Sequence, residues 1–213
     1  MMSKRGKKPA DKRTARPNAK NVSQSVLDRL APAELAEVLR TLLKKHSRLK
    51  AEAEAIAVEM VSFPSADDIA LEVFDAVTSL DVEALHGRAG KHSWGYVEPS
   101  QAAWEILEES VEGYLADMKR RLDLGLGEAA VALCRGVVVG LHYVEEDGLD
   151  GLLGWAPDFP AEEACYAVAE LIRTSPAGKR VAIHDSLVEA FCDSVPSWRE
   201  MISRVADDAL KGK

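Results

Sequence analysis

The chain has 213 residues, 47% of them hydrophobic but only 6% aromatic, with 35 acidic against 27 basic side chains and a net charge of −8. That much apolar material can fill a core, which excludes a wholly disordered chain. So few aromatics disfavour a β-sandwich and point towards packed helices.

Residues 1–24 hold eight cations (Lys4, Arg5, Lys7, Lys8, Lys12, Arg13, Arg16, Lys20) against Asp11 alone, leaving 19 basic and 34 acidic residues for the rest. With two prolines and almost no large apolar side chain, this segment cannot offset the entropy of ordering and reads as a disordered basic tail. The cations are candidate contacts for nucleic acid or another polyanion, since clustered charge gains from counterion release. The plainer alternative is a solubilising leader.

Order is expected from Ser25, with a short helical turn carrying Val26, Leu27 and Leu30. Pro32 suits the first turn of a helix whose Leu35, Val38, Leu39, Leu42 and Leu43 form one stripe. Ser47 is placed to cap a third helix, with Leu49, Ala53, Ile56 and Met60 on one face and Phe63-Pro64 at its end. Ser65, with Asp68 three residues on, reads as a capping-box variant for a helix holding Ile69, Val73, Phe74 and Val77.

Residues 86–97, HGRAGKHSWGYV, then form an irregular loop with three glycines. Pro99 and Ser100 open a long helix towards Leu124, with Trp104, Leu107, Val111, Leu115, Met118 and Leu122 on one stripe and Gly125 as its stop. The helix near 128–144 is apolar on nearly every side and is expected at the centre, where Gly136 and Gly140 would admit a close neighbour. Three helices follow, near 160–174, 178–193 and 196–210, the last opened by Pro196. No segment alternates convincingly as a strand. The expectation is an all-α fold of antiparallel helical hairpins stacked in a repeat-like α-α superhelix. It spans 25–213, with a point of subdivision near 86–97.

Cys134, Cys165 and Cys192 are odd in number, far apart and set among apolar neighbours, as reduced core thiols of a cytoplasmic protein would be. The N-terminus lacks the apolar run of a secretory signal. Residues 129–144, interrupted by Arg135, fall short of the roughly 20 a membrane span needs. A soluble protein with no membrane partner is expected.

The segments Gly87–Gly90, Gly95–Pro99, Ala102–Glu105 and Gly136–Tyr143, with the leucine-rich opening from Leu27 to Leu49, resemble a group of uncharacterised bacterial helical proteins. In some of these the helical region accompanies a SWIM-type zinc finger. The resemblance spans residues 25–145 and implies a helical fold. The finger needs a Cys-x-Cys followed by a Cys-x-His, and this chain has neither, so the finger's nucleic-acid role is not implied.

The loop offers the best candidate for chemistry. Arg88, Lys91 and His92 are suited to an anion or a partner, and Trp94 and Tyr96 to stacking. The alternative is a connector pinned by its aromatics. It is no nucleotide P-loop, because His92 follows Gly90-Lys91 and Leu85 stands where that motif needs glycine. The histidines and cysteines fall at no metal-ligand spacing, and the isolated cysteines read as core with no nucleophilic constellation around them, so no metal, cofactor or catalytic residue is assigned. The leading expectation is a non-catalytic helical scaffold that binds another protein. A nucleic-acid accessory factor anchored by the tail comes second, and an enzyme with an anion pocket at the loop third.

Overall fold

The computed structural model describes residues 25–62, 64–148 and 150–212, apart from the side chains of Cys192 and Asp193. Among these residues there are eight α-helices and one two-stranded sheet, so the protein is essentially all-α. The basic tail lies outside the described residues. The chain divides into two compact units, with the division between Ala53 and Glu54.

The first unit begins with a 3-10 turn at Leu27–Arg29, followed by α1 (Pro32–Lys45) and a second 3-10 turn at Ser47–Leu49. Pro32 occupies the first turn of α1, where its missing N–H costs nothing. Ser47 does not cap the next helix: it lies inside the 3-10 turn, and α2 (Lys50–Ser62) starts three residues later. None of residues 25–62 is buried.

The second unit holds the remainder of α2, then α3 (Ala66–Thr78), β1 (Gly90–His92), β2 (Gly95–Val97), α4 (Pro99–Asp123), α5 (Gly127–Asp147), α6 (Phe159–Thr174), α7 (Arg180–Ser194) and α8 (Arg199–Leu210). The capping expectation for α3 holds: the Ser65 hydroxyl accepts the Asp68 N–H at 3.2 Å. Pro196 does not open α8, which begins three residues later, after a turn closed by the Trp198 N–H to the Val195 carbonyl.

Helix α5 is the hub, touching α3, α4, α6 and α7, while α6 also packs on α8. At 21 residues, three beyond the apolar pattern at its C-terminal end, it is long and apolar enough to cross a membrane, but 67% of its most apolar stretch is buried in protein. Its glycines explain the tightest packing. A Cβ on Gly136 would lie 2.8 Å from the Ala66 carbonyl oxygen, and one on Gly140 would lie 2.6 Å from that of Ala70. Thus α3 meets α5 backbone to backbone. Five of the six stripe residues of α4 are buried against this layer, and Trp104 meets Phe159 of α6 edge-on at 5.2 Å. Burying a side chain such as Phe159 or Leu141 completely contributes roughly 1.5–3 kcal/mol. The Cys134 thiol is fully buried here, and burial pushes its pKa up to about 12, so it is inert core.

Candidate functional site

The glycine-rich segment is more ordered than its sequence implies. The Asp81 carboxylate accepts the Glu83 N–H at 2.9 Å and starts a 3-10 turn at Val82–Leu85. A hairpin follows, with Gly90 paired to Val97, Lys91 to Tyr96 and His92 to Gly95. Ser93 and Trp94 form the tip, and Gly95, at φ +151°, takes the backbone conformation that closes the turn. The expectation of a strand-free loop is corrected here. Strands of three residues are too short for alternation to register in the sequence.

The five loop candidates separate into two groups. Arg88 turns away to α4, its Nη1 and Nη2 donating to Glu109 Oε1 and Oε2 at 2.7 and 2.8 Å. This fork raises the guanidinium pKa and lowers that of the Glu109 carboxyl, chiefly through the hydrogen bond itself. A carboxylate therefore already occupies the place an anionic ligand would take. Lys91, His92, Trp94 and Tyr96 stay together on the hairpin. The His92 ring stacks on Trp94 with centroids 4.6 Å apart, and its Nε2 donates to the Arg88 carbonyl at 2.9 Å. Trp94 is 79% exposed and Tyr96 62%. The neighbouring groove is lined by Val82, Leu85, His86, Ala89, Pro99 and Trp155 among others, and includes neither Arg88 nor Lys91. The hairpin is built to present aromatic surface rather than to enclose a ligand. The eight tail cations all lie outside the described residues.

Sequence reasoning missed three arrangements. The first is an acidic groove in which Glu105, Glu108, Glu109 and Glu112 of α4 face Tyr166 of α6. Glu163 is 96% buried nearby, one of its oxygens has no hydrogen-bond partner, and burial, with Glu108 adding repulsion, pushes its pKa up to about 7. Helical spacing could have placed the α4 acids on one face, but not Glu163 beside them.

The second centres on His142 of α5. Its Nε2 and the Ser197 hydroxyl are 2.8 Å apart, its Nδ1 is 3.6 Å from Glu146, and its ring meets Trp198 edge-on. The Trp198 indole N–H donates to Glu145 at 2.8 Å. The order serine–histidine–carboxylate is that of an activated nucleophile. However, 3.6 Å is too long for the orienting hydrogen bond, and none of the four grooves described includes Ser197 or His142. The group acts as a polar bolt between α5 and the start of α8. His184 plays a similar part between α7 and α8, with Asp185 and Asp207 at 2.9 and 3.0 Å.

The third is a cleft of about 710 Å³ where the beginnings of α5 and α7 meet, lined by Leu126, Glu128, Val131, Lys179 and Ile183 among others. Neither helix has a side-chain cap there, and Glu128 in the first turn of α5 already complements that helix's positive end. Among the described residues no group of three or more His, Cys, Asp or Glu is placed to hold a metal ion.

A continuous apolar stripe is exposed in the first unit. Along α1, Leu35, Val38, Leu39 and Leu42 are 41–50% exposed, and Val26 and Leu27 beside the helix are more so. An open groove along this face runs from Glu34 and Glu37 to Lys45, with Val38, Thr41 and Leu42 between them. The sequence supplied the stripe, and what the structure adds is its exposure. In comparisons with known protein families, with curated proteins and with solved structures, no match is found.

Proposed function

We propose that the chain is a non-catalytic, cytoplasmic helical interaction protein that presents the apolar face of α1 to another protein. The observation carrying this reading is the α1 stripe, four large aliphatic side chains in register and none of them buried. Contiguous exposed apolar surface rimmed by charge is the mark of a protein–protein contact. The Trp94–Tyr96 hairpin tip supports the same reading, because exposed aromatics are common binding anchors. A stack of α-α hairpins, as in the bacterial helical proteins the sequence resembles, is the architecture we favour for such a scaffold.

The test is affinity capture on the immobilised full chain, comparing wild type with Leu39→Glu/Leu42→Glu and with Trp94→Ala/Tyr96→Ala. A protein retained by wild type and lost with the α1 double variant supports the reading. Capture indifferent to both variants refutes it.

A second reading rests on the charge asymmetry of the sequence, eight cations within residues 1–24 of an otherwise acidic chain. It makes the protein a nucleic-acid accessory factor held by its tail. Fluorescence anisotropy of labelled DNA and RNA at two salt concentrations tests it. Binding that falls steeply with salt and disappears when the eight cations are replaced by glutamine supports it.

A further inference from the structure

We infer that the occupant of the α1 face is a second copy of this chain, the two α1 helices packing antiparallel about a two-fold axis. This rests on the reading of α1 as an interaction surface and names its partner.

Three observations carry the inference. The stripe is continuous: Leu35, Val38, Leu39 and Leu42 recur at helical spacing along α1 and are all exposed. The charges are divided end from end. Glu34 and Glu37 occupy the first half of the helix, and Arg40, Lys44 and Lys45 the second. Glu34 and Lys45 lie eleven residues apart, about three helical turns, and therefore border the same edge of the stripe. The groove confirms this, since both residues line it together with Val38 and Leu42.

A helix with this pattern is complementary to itself only when reversed. Antiparallel pairing sets the acidic end of each copy against the basic end of the other, twice over. Parallel pairing sets like charge against like at both ends. In a two-fold contact the same patch serves on both sides, so each favourable pairing occurs twice. The same division of charge complements the dipole of α1 itself, with Glu34 accepting the Ala31 N–H at 2.8 Å and Glu37 accepting from Arg40 at 3.0 Å, and antiparallel pairing adds a second use for it.

The size of the surface sets the strength. Fourteen residues of helix extend for about 21 Å, and two such helices bury less than the roughly 1,200 Å² of a standard interface. The dimer is therefore a reversible one, forming in the micromolar range rather than obligate.

Sedimentation velocity of the full chain across the micromolar range tests this at low salt, where exposed charges are least screened. Wild type is expected to shift from monomer to dimer with concentration, and Leu39→Glu/Leu42→Glu to remain monomeric. Glu34→Lys/Glu37→Lys and Lys44→Glu/Lys45→Glu are each expected to weaken self-association by about tenfold. An equimolar mixture of these two variants is expected to recover it. That recovery also shows that both variants fold.

A dimer indifferent to the α1 substitutions, or charge variants that self-associate as well as wild type, would overturn the inference. A monomer at every concentration would do so too, and labelling of the Leu39→Cys thiol then separates its two causes. Rapid labelling leaves α1 an open surface for a different protein. Slow labelling means that the chain covers its own stripe, and the interaction reading falls with the dimer.

Discussion

Helices α1 and α5 differ in how far their apolar residues are covered. The first has a clear apolar stripe and not one buried residue, while the second is apolar on most sides and forms the hub of the larger unit. A stripe declares that a helix has a face to cover but does not say what covers it. An all-round apolar helix leaves less choice, because only a protein interior or a lipid bilayer can surround it. The difference is one of ambiguity: an all-round apolar helix declares its own burial, and a striped one leaves open what covers it.

The sharpest test of this contrast is a matched pair of truncations. Leu141→Ala in α5 is expected to cost about 3 kcal/mol in chemical denaturation, the transfer loss plus a cavity. Leu39→Ala in α1, measured at protein concentrations where the chain is monomeric, should shift the main transition by less than about 0.5 kcal/mol. Equal effects would mean that α1 is packed after all. Next in size, Gly140→Ala is expected to cost about 2–3 kcal/mol, because the new methyl meets the Ala70 carbonyl oxygen and the Val73 side chain. A helix that merely liked alanine would be stabilised by the same change.

Glu163 gives a comparison within the larger unit. Its folded-state pKa is raised from 4.5 to about 7, so its favourable contribution is complete below pH 4.5 and is lost as the pH climbs through about 7. Glu163→Gln should therefore stabilise the protein above pH 7, by about 2 kcal/mol, with the gain shrinking towards pH 4.5. A gain independent of pH would place the effect in packing rather than protonation. The smallest effect belongs to the hairpin tip. Trp94→Ala should leave the denaturation midpoint within about 0.5 kcal/mol of wild type while removing one exposed indole from the emission spectrum.

Much of the helical framework was legible beforehand because its signals are local. Pro32 and Pro99 open α1 and α4, Ser65 caps α3, and Gly136 and Gly140 foretell the close approach on α5. What escaped depends on residues distant in the chain. The Arg88–Glu109 fork joins positions 21 apart, and the His142–Ser197 contact joins positions 55 apart. Neither leaves a mark in the spacing of its own segment. The hairpin was missed for a different reason, its strands being shorter than the pattern that would announce them. Within the candidate loop, the sequence grouped Arg88 with Lys91 and His92 as free cationic chemistry. The fold instead uses Arg88 as a strut and leaves the aromatics exposed.

The two glycine notches on α5 also act as an index. They are four residues apart, and so are Ala66 and Ala70, whose carbonyls they admit. With such matched spacing α3 can seat on α5 only in steps of the four-residue notch spacing, about 6 Å. The alignment of the two helices is then set by their backbones rather than by the shapes of side chains elsewhere along the pair. A single residue inserted between Gly136 and Gly140 would swing one notch about 100° away from the other and erase that alignment at a stroke.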